Sequence, residues 1–523
     1  MPPPTVDTDA TPTAAWLLAN LEWLVAALPA EWLAGRRWFG SKGQGIARVA
    51  LRDVALLCER PPAVLALVAV ALSGGGSETY SLPLALGPAA DVDSQVGGSA
   101  ATFLQLESPS GVYSLYDATA DPDCARALFS LLASGAHLSG RGGEFVFVAV
   151  APLPSASAAG EPRPLGAEQS NTSIAFGERS LLKLYRRLQN GPNPDLELPL
   201  FLSTRAGFPY SPPLLGYAEY HGPGLAATLM SLQAFVANQG DGWRQAQTHL
   251  RGLLAAALAE PDAPARALAR GHSTAYLDEV SRLGQITAEL HLALAADRSD
   301  PALAPEAVTA ADCEVWLAAA AARLRATLAA ALAAADRYPA ALAARLRALA
   351  GSEERYLDLL DGLRTLAATG VERIRLHGDY HLGQVLRVPN GYVLVDFEGE
   401  PARPLAERRA KHPALRDVAG MLRSFDYAAA AALREAESRP AAGLVAVAAA
   451  WVELADEAFL AGYLATVRAG RANLVPSDPE LLRRALDAFL LEKALYELTY
   501  ELDNRPDWVD LPLGYLLRLA SPT

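Results

Sequence analysis

LHGDYHLGQVLRVPNGYVLVDFEGEPAR, residues 376 to 403, holds two apolar runs on either side of a turn. Val385, Leu386 and Val388 form the first run, Tyr392 to Val395 the second, and Pro389-Asn390-Gly391 lies between them. Apolar segments flanking a Gly-containing turn predict a β-hairpin. Each arm ends in a polar cluster: His377-Gly378-Asp379-Tyr380-His381 through Gln384 before the first, Asp396-Phe397-Glu398-Gly399-Glu400 after the second. A hairpin returns both clusters to one end, so Asp379, Gln384 and Asp396 are expected to meet. Two carboxylates and an amide carbonyl suit Mg²⁺, a hard cation that takes oxygen ligands and leaves positions for phosphate oxygens. An exposed turn with ordinary polar ends is the plainer reading, but a second acidic cluster directly after an apolar strand is a rarer pattern.

The string resembles the catalytic and metal-binding loops of the aminoglycoside phosphotransferase and eukaryotic-like kinase superfamily. More narrowly, HGDYHLGQ followed by DFEGEPARP is similar to the bacterial maltokinases, which use ATP to phosphorylate maltose at its anomeric hydroxyl. The resemblance implies an α+β, bilobal, protein-kinase-like fold with an N-terminal β-rich cap and a large α-helical C-terminal lobe. It implies ATP and Mg²⁺ as cofactors, Asp379 as the catalytic base, and Gln384 and Asp396 as metal ligands. His381, Glu398, Glu400 and Arg403 fall on the acceptor side of such a site, with His377 and Asp417 behind it. Gln384 departs from the Asn usual in the wider superfamily, which leaves the number of metal ions open.

A chain of 523 residues exceeds one ordinary domain, and 51% hydrophobic residues supply large cores. The formal charge of −13 argues against a nucleic-acid partner, because phosphate backbones need a basic face. Cys58, Cys124 and Cys313 have no CxxC spacing, so neither a disulfide framework nor a zinc site is indicated and a reducing cytoplasm is expected. The N-terminus lacks a positive, then apolar, secretory pattern and reads as a disordered tail. The longest apolar runs, 63–72 and 441–452, fall short of the roughly 20 residues of a membrane span, so no membrane partner is expected. Expected boundaries are a tail at 1–12, a cap at 13–105, an intermediate nucleotide-binding subdomain at 106–236 and a helical lobe at 237–523.

Gly35 to Lys42 is a near miss for a Walker A loop, since Ser-Lys replaces Lys-Ser/Thr and no strand precedes it. Arg37-Trp38-Phe39 with Lys42-Gly43 is instead similar to a stretch of the maltokinase cap. Strands are expected at 46–57, 63–72, 79–86, 145–150, 173–176, 181–185 and 225–232. The loop holding Ser170, Asn171, Thr172 and Ser173 has small polar residues able to offer N–H groups to phosphates; an ordinary hairpin turn reads equally well. Alternation puts Lys183 opposite Leu182 and Leu184, the face from which the strand lysine of kinase-like folds reaches nucleotide phosphates. Glu197, on the next helix, is the expected partner of that ammonium, and two unrelated surface charges are the plainer reading. Gln233 to Phe235 would be the connector whose backbone meets the adenine edge.

Helices rich in Ala, Leu and Arg are expected at 245–258, 275–294, 310–334 and 338–370. Asp417, near the start of another, either braces the catalytic loop or caps its helix. In the C-terminal helix Tyr496 and Tyr500 are four apart on one face, with Glu497 and Glu501 beside them. The maltokinase resemblance assigns this segment, with Asn504, Arg505 and Trp508, to the sugar. A helix packed on its own lobe has the same spacing. The rival readings are a glucosamine or other amino-sugar kinase of the same fold, a metal-dependent hydrolase using His377, His381, Asp379 and Asp396, and a nucleotide-binding pseudokinase. Association with trehalose synthase and a monomeric or homodimeric state follow from the resemblance alone.

Overall fold

Ala63–Leu72 is apolar at every position because both of its faces are covered. Its even-numbered residues Val64, Ala66, Val68 and Val70 pack with Leu17 and Leu21 of the helix Ala14–Ala26. Its odd-numbered residues Leu65 and Leu67 pack with Phe129 and Phe176 in a second core. A strand buried on one face only would alternate.

The computed structural model describes residues 12–95, 102–166, 170–401, 403–436 and 442–520; the tail expected at 1–12 falls outside them but for its last residue. The chain divides into two compact units, residues 1–200 with 212–237, and residues 201–211 with 238–523. Its fold is the α+β kinase-like one that the hairpin string implies.

The first unit holds two antiparallel sheets. One runs Ile46–Cys58, Ala63–Leu72, Ser77–Pro88, Gly111–Asp117, Thr102–Ser108, with Arg187–Leu188 added on Ser77–Pro88. The other is seven-stranded, in the order His137–Ser139, Glu144–Ala149, Leu214–Gly222, Leu225–Ala234, Ser180–Tyr185, Asn171–Phe176, Pro162–Leu165. Leu214–Gly222 was not among the expected strands; its sequence, LLGYAEYHG, hides the alternation behind Gly216 and Glu219. The helix Pro122–Ser134 is capped by the Asp121 carboxylate, which accepts from the N–H groups of Asp123 and Cys124. All three cysteines are free, and a hydrogen bond from Cys124 lowers the pKa of the Cys58 thiol.

The second unit is built on helices Gly242–Ala259, Ala265–Leu294, Ala310–Ala334, Leu415–Ala436, Ala442–Ala469 and Pro479–Asn504. Ala265–Leu294 and Ala442–Ala469 approach closely enough that a Cβ on Gly284 would sit 2.1 Å from the Phe459 carbonyl oxygen, so that position requires glycine. Pro479–Asn504 packs against Ala310–Ala334 and Leu415–Ala436 and forms the spine of the unit. The single helix expected over 338–370 is three pieces, Ala340–Ala350, Glu353–Leu360 and the 3₁₀ turn Asp361–Ala368, interrupted at Gly351. Ala310–Arg337 is long and apolar enough, by length and composition alone, to cross a membrane. Its hydropathy is spread over alanines interrupted by charged residues, so it holds no long unbroken apolar run, and it packs on Pro479–Asn504.

Residues 201–211 belong to this unit through their side chains. Arg205 pairs with Asp297 and Asp300, and Tyr210 accepts from Arg282 Nη2 at 2.6 Å. The Tyr210 carbonyl takes the N–H of Leu394 at 2.7 Å, which fixes the edge of the central hairpin.

Candidate active site

Val385–Val388 and Gly391–Leu394 pair in the register Val385 to Leu394 and Val388 to Gly391, leaving Pro389 and Asn390 at the tip. The hairpin is tied at its base, where Val395 N–H donates to the Gln384 carbonyl at 3.0 Å. That closure brings Gln384 Nε2 to 3.0 Å from Asp396 Oδ2. Asp396 has φ +65°, alone among the described non-glycine residues in adopting a positive φ. Such a backbone costs about 1–2 kcal/mol for most residues and less for Asp or Asn.

The two polar clusters converge as the hairpin requires. Gly378, at φ +85°, sits so near the second cluster that a Cβ there would lie 3.2 Å from Gly399 Cα. His377 is buried, donates through Nε2–H to the Val395 carbonyl (2.9 Å), and packs on Phe397 at 4.9 Å. Asp379 Oδ2 lies 3.9 Å from His381 Nε2. The charges of Asp379 and Asp396 favour the protonated imidazole, but burial holds its pKa below the usual value. His381 Nδ1 accepts the Gly383 N–H at 3.0 Å, so a neutral ring caps the turn into Gln384.

Asp417 lies behind this loop, buried, and its carboxylate takes the N–H groups of His377 at 2.8 Å and Gly378 at 3.0 Å. His291 Nε2 stands 3.3 Å away, and its Nδ1 meets the Tyr463 hydroxyl at 2.9 Å. Burial alone would raise the Asp417 pKa, but these donors and the charges of His291 and His377 hold it below its ordinary 3.8. A depressed carboxylate contributes stability above the unfolded pKa and loses it as pH falls through the folded one. Asp417→Asn is therefore expected to lose about 1.5–3 kcal/mol at pH 7 in urea unfolding, with the gap to wild type closing as the pH drops below 3.8. A gap that stays constant into acid would contradict the charged-acceptor role.

Lys493, which the sequence reading did not single out, is the missing neighbour of Asp379. Its Nζ is 3.4 Å from Asp379 Oδ1 and 2.9 Å from Glu400 Oε1, and it lies over the Tyr496 ring at 4.9 Å. Burial opposes its charge, but Glu400 and Asp379 raise its pKa far above the lysine value. Burial would likewise raise Glu400, yet Lys493, Arg403 and Arg416 hold it well below the carboxylate range. The signal for Lys493 was its spacing of three and seven from Tyr496 and Tyr500 on one helix face.

In the first unit, Lys183 Nζ is 2.8 Å from Asp195 Oδ2, and the Tyr185 hydroxyl donates to the same oxygen at 2.8 Å. Asp195, two residues before the expected Glu197, is thus a carboxylate partner of the strand lysine. Asp195 is buried and Glu197 half-buried, since two residues along a helix turn to different faces. Asn171, Thr172 and Ser173 lie in the strand Asn171–Phe176, and only Ser170 stays in the turn before it. The Thr172 hydroxyl accepts from Arg186 Nε at 2.8 Å, and Ser173 is buried. Gln233 ends the strand Leu225–Ala234, and Phe235 N–H is bound by the Arg179 carbonyl at 2.9 Å, which removes it as a donor to adenine.

Residues 32–121 match the maltokinase N-terminal cap domain. A glucosamine kinase of Streptacidiphilus jiangxiensis is 31% identical over 353 residues, which are 66% of this chain and 70% of that protein. A glucosamine kinase of Mycolicibacterium smegmatis (strain ATCC 700084 / mc(2)155) is 31% identical over 360 residues, 68% and 79% of the two chains. The chain belongs to the family of sugar kinases that includes these glucosamine kinases. It is accordingly a phosphotransferase acting on a hydroxyl group. The solved structure of a glucosamine kinase in complex with glucosamine, ADP and inorganic phosphate has the same fold, with TM-score 0.63 and 23% identity over 96% of this chain and 99% of that one.

The C-terminal helix, expected to meet the sugar, departs from that expectation in its carboxylates. Tyr496 and Tyr500 stack at 6.4 Å, with Tyr500 exposed. The carboxylates beside them turn inward: Glu497 is bound by Arg423 at 2.8 and 3.0 Å, and Glu501 by Arg505 at 2.6 Å and Tyr427 at 3.2 Å. Glu501 is 1% exposed, so it braces the helix rather than presenting to a sugar. Asn504 caps the Tyr500 carbonyl at 2.9 Å, Arg505 lies over Tyr500 and Trp508, and Trp508 stacks on Tyr427. Glu398 is neighboured by Arg408, whose Nη1 donates to its carbonyl at 2.9 Å.

Among the described residues no three His, Cys, Asp or Glu side chains gather as a metal cage. The Asp396 carboxylate with the Gln384 amide is a sparse oxygen set, which fits Mg²⁺ completed by phosphate and water oxygens. It does not fit the closed His- and Asp-ligated centre of the hydrolase reading.

Proposed function

We propose that this sugar kinase transfers the γ-phosphate of ATP to the anomeric hydroxyl of maltose, giving maltose 1-phosphate and ADP. The observation that carries the reading is that Asp379 lies 3.9 Å from His381, whose carbonyl accepts the Gln384 N–H at 2.9 Å, while the Gln384 side chain meets Asp396 at 3.0 Å. Asp379 accepts the proton of the attacking hydroxyl as its oxygen bonds to the γ-phosphorus and the bond to the β-phosphate oxygen breaks. Asp396 and the Gln384 carbonyl oxygen would hold Mg²⁺, which when bound neutralises phosphate charge. The Gln384 amide, now donating through Nε2, would rotate to offer that oxygen. Lys183, steadied by Asp195, is assigned to nucleotide phosphates.

Maltose is favoured over an amino sugar by the charge beside Asp379. The Lys493 ammonium 3.4 Å from the base repels a second ammonium docked there, and Glu400 is already neutralised by Lys493 and Arg403. Tyr496 and Tyr500 add flat apolar faces suited to sugar C–H surfaces. Glucosamine is the second reading, supported by the names of the two 31%-identical relatives. ADP release measured with maltose, glucosamine and glucose separates them. Maltose is expected to have the highest kcat/KM, and a higher value for glucosamine would reject the maltose assignment.

A further inference from the structure

Beside the catalytic loop, and wholly within the second unit, lies a cavity of about 990 Å³. Its wall carries seven Arg or Lys side chains against four Asp or Glu, although the chain as a whole has a net charge of −13. Much of this charge is internally balanced: Arg373 pairs with Glu306 and Asp312, each at 2.6 Å, Lys411 with Glu306 at 2.5 Å, Arg416 with Glu492 at 3.2 Å, and Arg403 with Glu407 and Glu492, each at 3.5 Å, and with Glu400. Cations still outnumber acids along the wall, seven to four. His412, on the strand next to Arg373, is held well below its ordinary pKa by burial and then by Arg416, Arg403 and Arg373 in turn. Arg375, only 1% exposed, faces the same space.

Trp316 forms an aromatic side to the cavity, its ring 5.6 Å from His412. Guanidinium groups in a recess match phosphate oxygens with paired N–H donors. The volume exceeds that of a phosphate ion, and the indole offers a face to an apolar ring surface. We infer that this cavity is a second site, which binds a phosphorylated sugar through its phosphoryl group at the guanidinium wall and its ring at Trp316. The inference uses only this cavity and stands whichever sugar the kinase phosphorylates.

The test is calorimetric titration of the full-length protein, without nucleotide, with glucose 1-phosphate, inorganic phosphate and glucose. Glucose 1-phosphate is expected to bind, more tightly than either fragment, and to weaken as salt is raised. Arg373→Gln and, separately, Trp316→Ala are each expected to weaken it by about tenfold or more. Their sugar-kinase turnover should stay near wild type, which checks folding. Absence of glucose 1-phosphate binding, or binding that both active variants retain, overturns the site. Equal affinity for inorganic phosphate overturns the sugar part. A wild-type protein that binds glucose 1-phosphate but phosphorylates no sugar would reject the proposed function and leave this site standing.

Discussion

Asp396→Asn is expected to lower kcat/KM for the sugar by roughly 10³-fold or more while the protein stays folded. Phosphoryl transfer asks little covalent chemistry of the protein, so alignment and charge neutralisation supply most of the rate. Removing the carboxylate that closes on Gln384 at 3.0 Å removes that function at its centre. Asparagine is the informative replacement because it tolerates the φ of +65° found at this position, so the loss reads charge rather than backbone strain. Circular dichroism and steady-state kinetics check it. Activity within tenfold of wild type would remove Asp396 from the reaction.

Asp379→Asn should cost about 10²- to 10⁴-fold in kcat with little change in KM, the usual worth of a general base. The variant keeps its fold because Lys493 retains Glu400 at 2.9 Å when the Asp379 charge is gone. The loss is expected to be no larger than that of Asp396→Asn, since a base assists one proton while the Asp396 site orders the whole transfer. A KM effect with unchanged kcat would make Asp379 a binding residue instead.

Much of this centre was legible in the sequence because it is local. The run from Val385 to Val395 around Pro389-Asn390-Gly391 dictates a hairpin, and a hairpin can only bring Gln384 to Asp396. Strand alternation likewise put Lys183 opposite the buried Leu182 and Leu184. What depended on helix phase or on tertiary packing was not legible. Asp195 meets Lys183 because the helix Pro194–Phe201 starts by turning its first acid inward. Glu501 looked like a sugar ligand beside Tyr500, but the lobe buries it under Arg505 and Tyr427. Lys493 lies more than a hundred residues from Asp379, and only folded helices bring an ammonium to that base. Asp417 was readable as either a cap or a brace; two backbone N–H groups of the catalytic loop converge on it.

The most direct test is phosphorus NMR of the product formed from Mg-ATP and maltose. The account predicts a phosphomonoester on the anomeric carbon, formed in step with ADP and absent with Asp379→Asn over the same period. ADP formed with no sugar phosphate, or a phosphate appearing on no sugar among maltose, glucosamine and glucose, would contradict it.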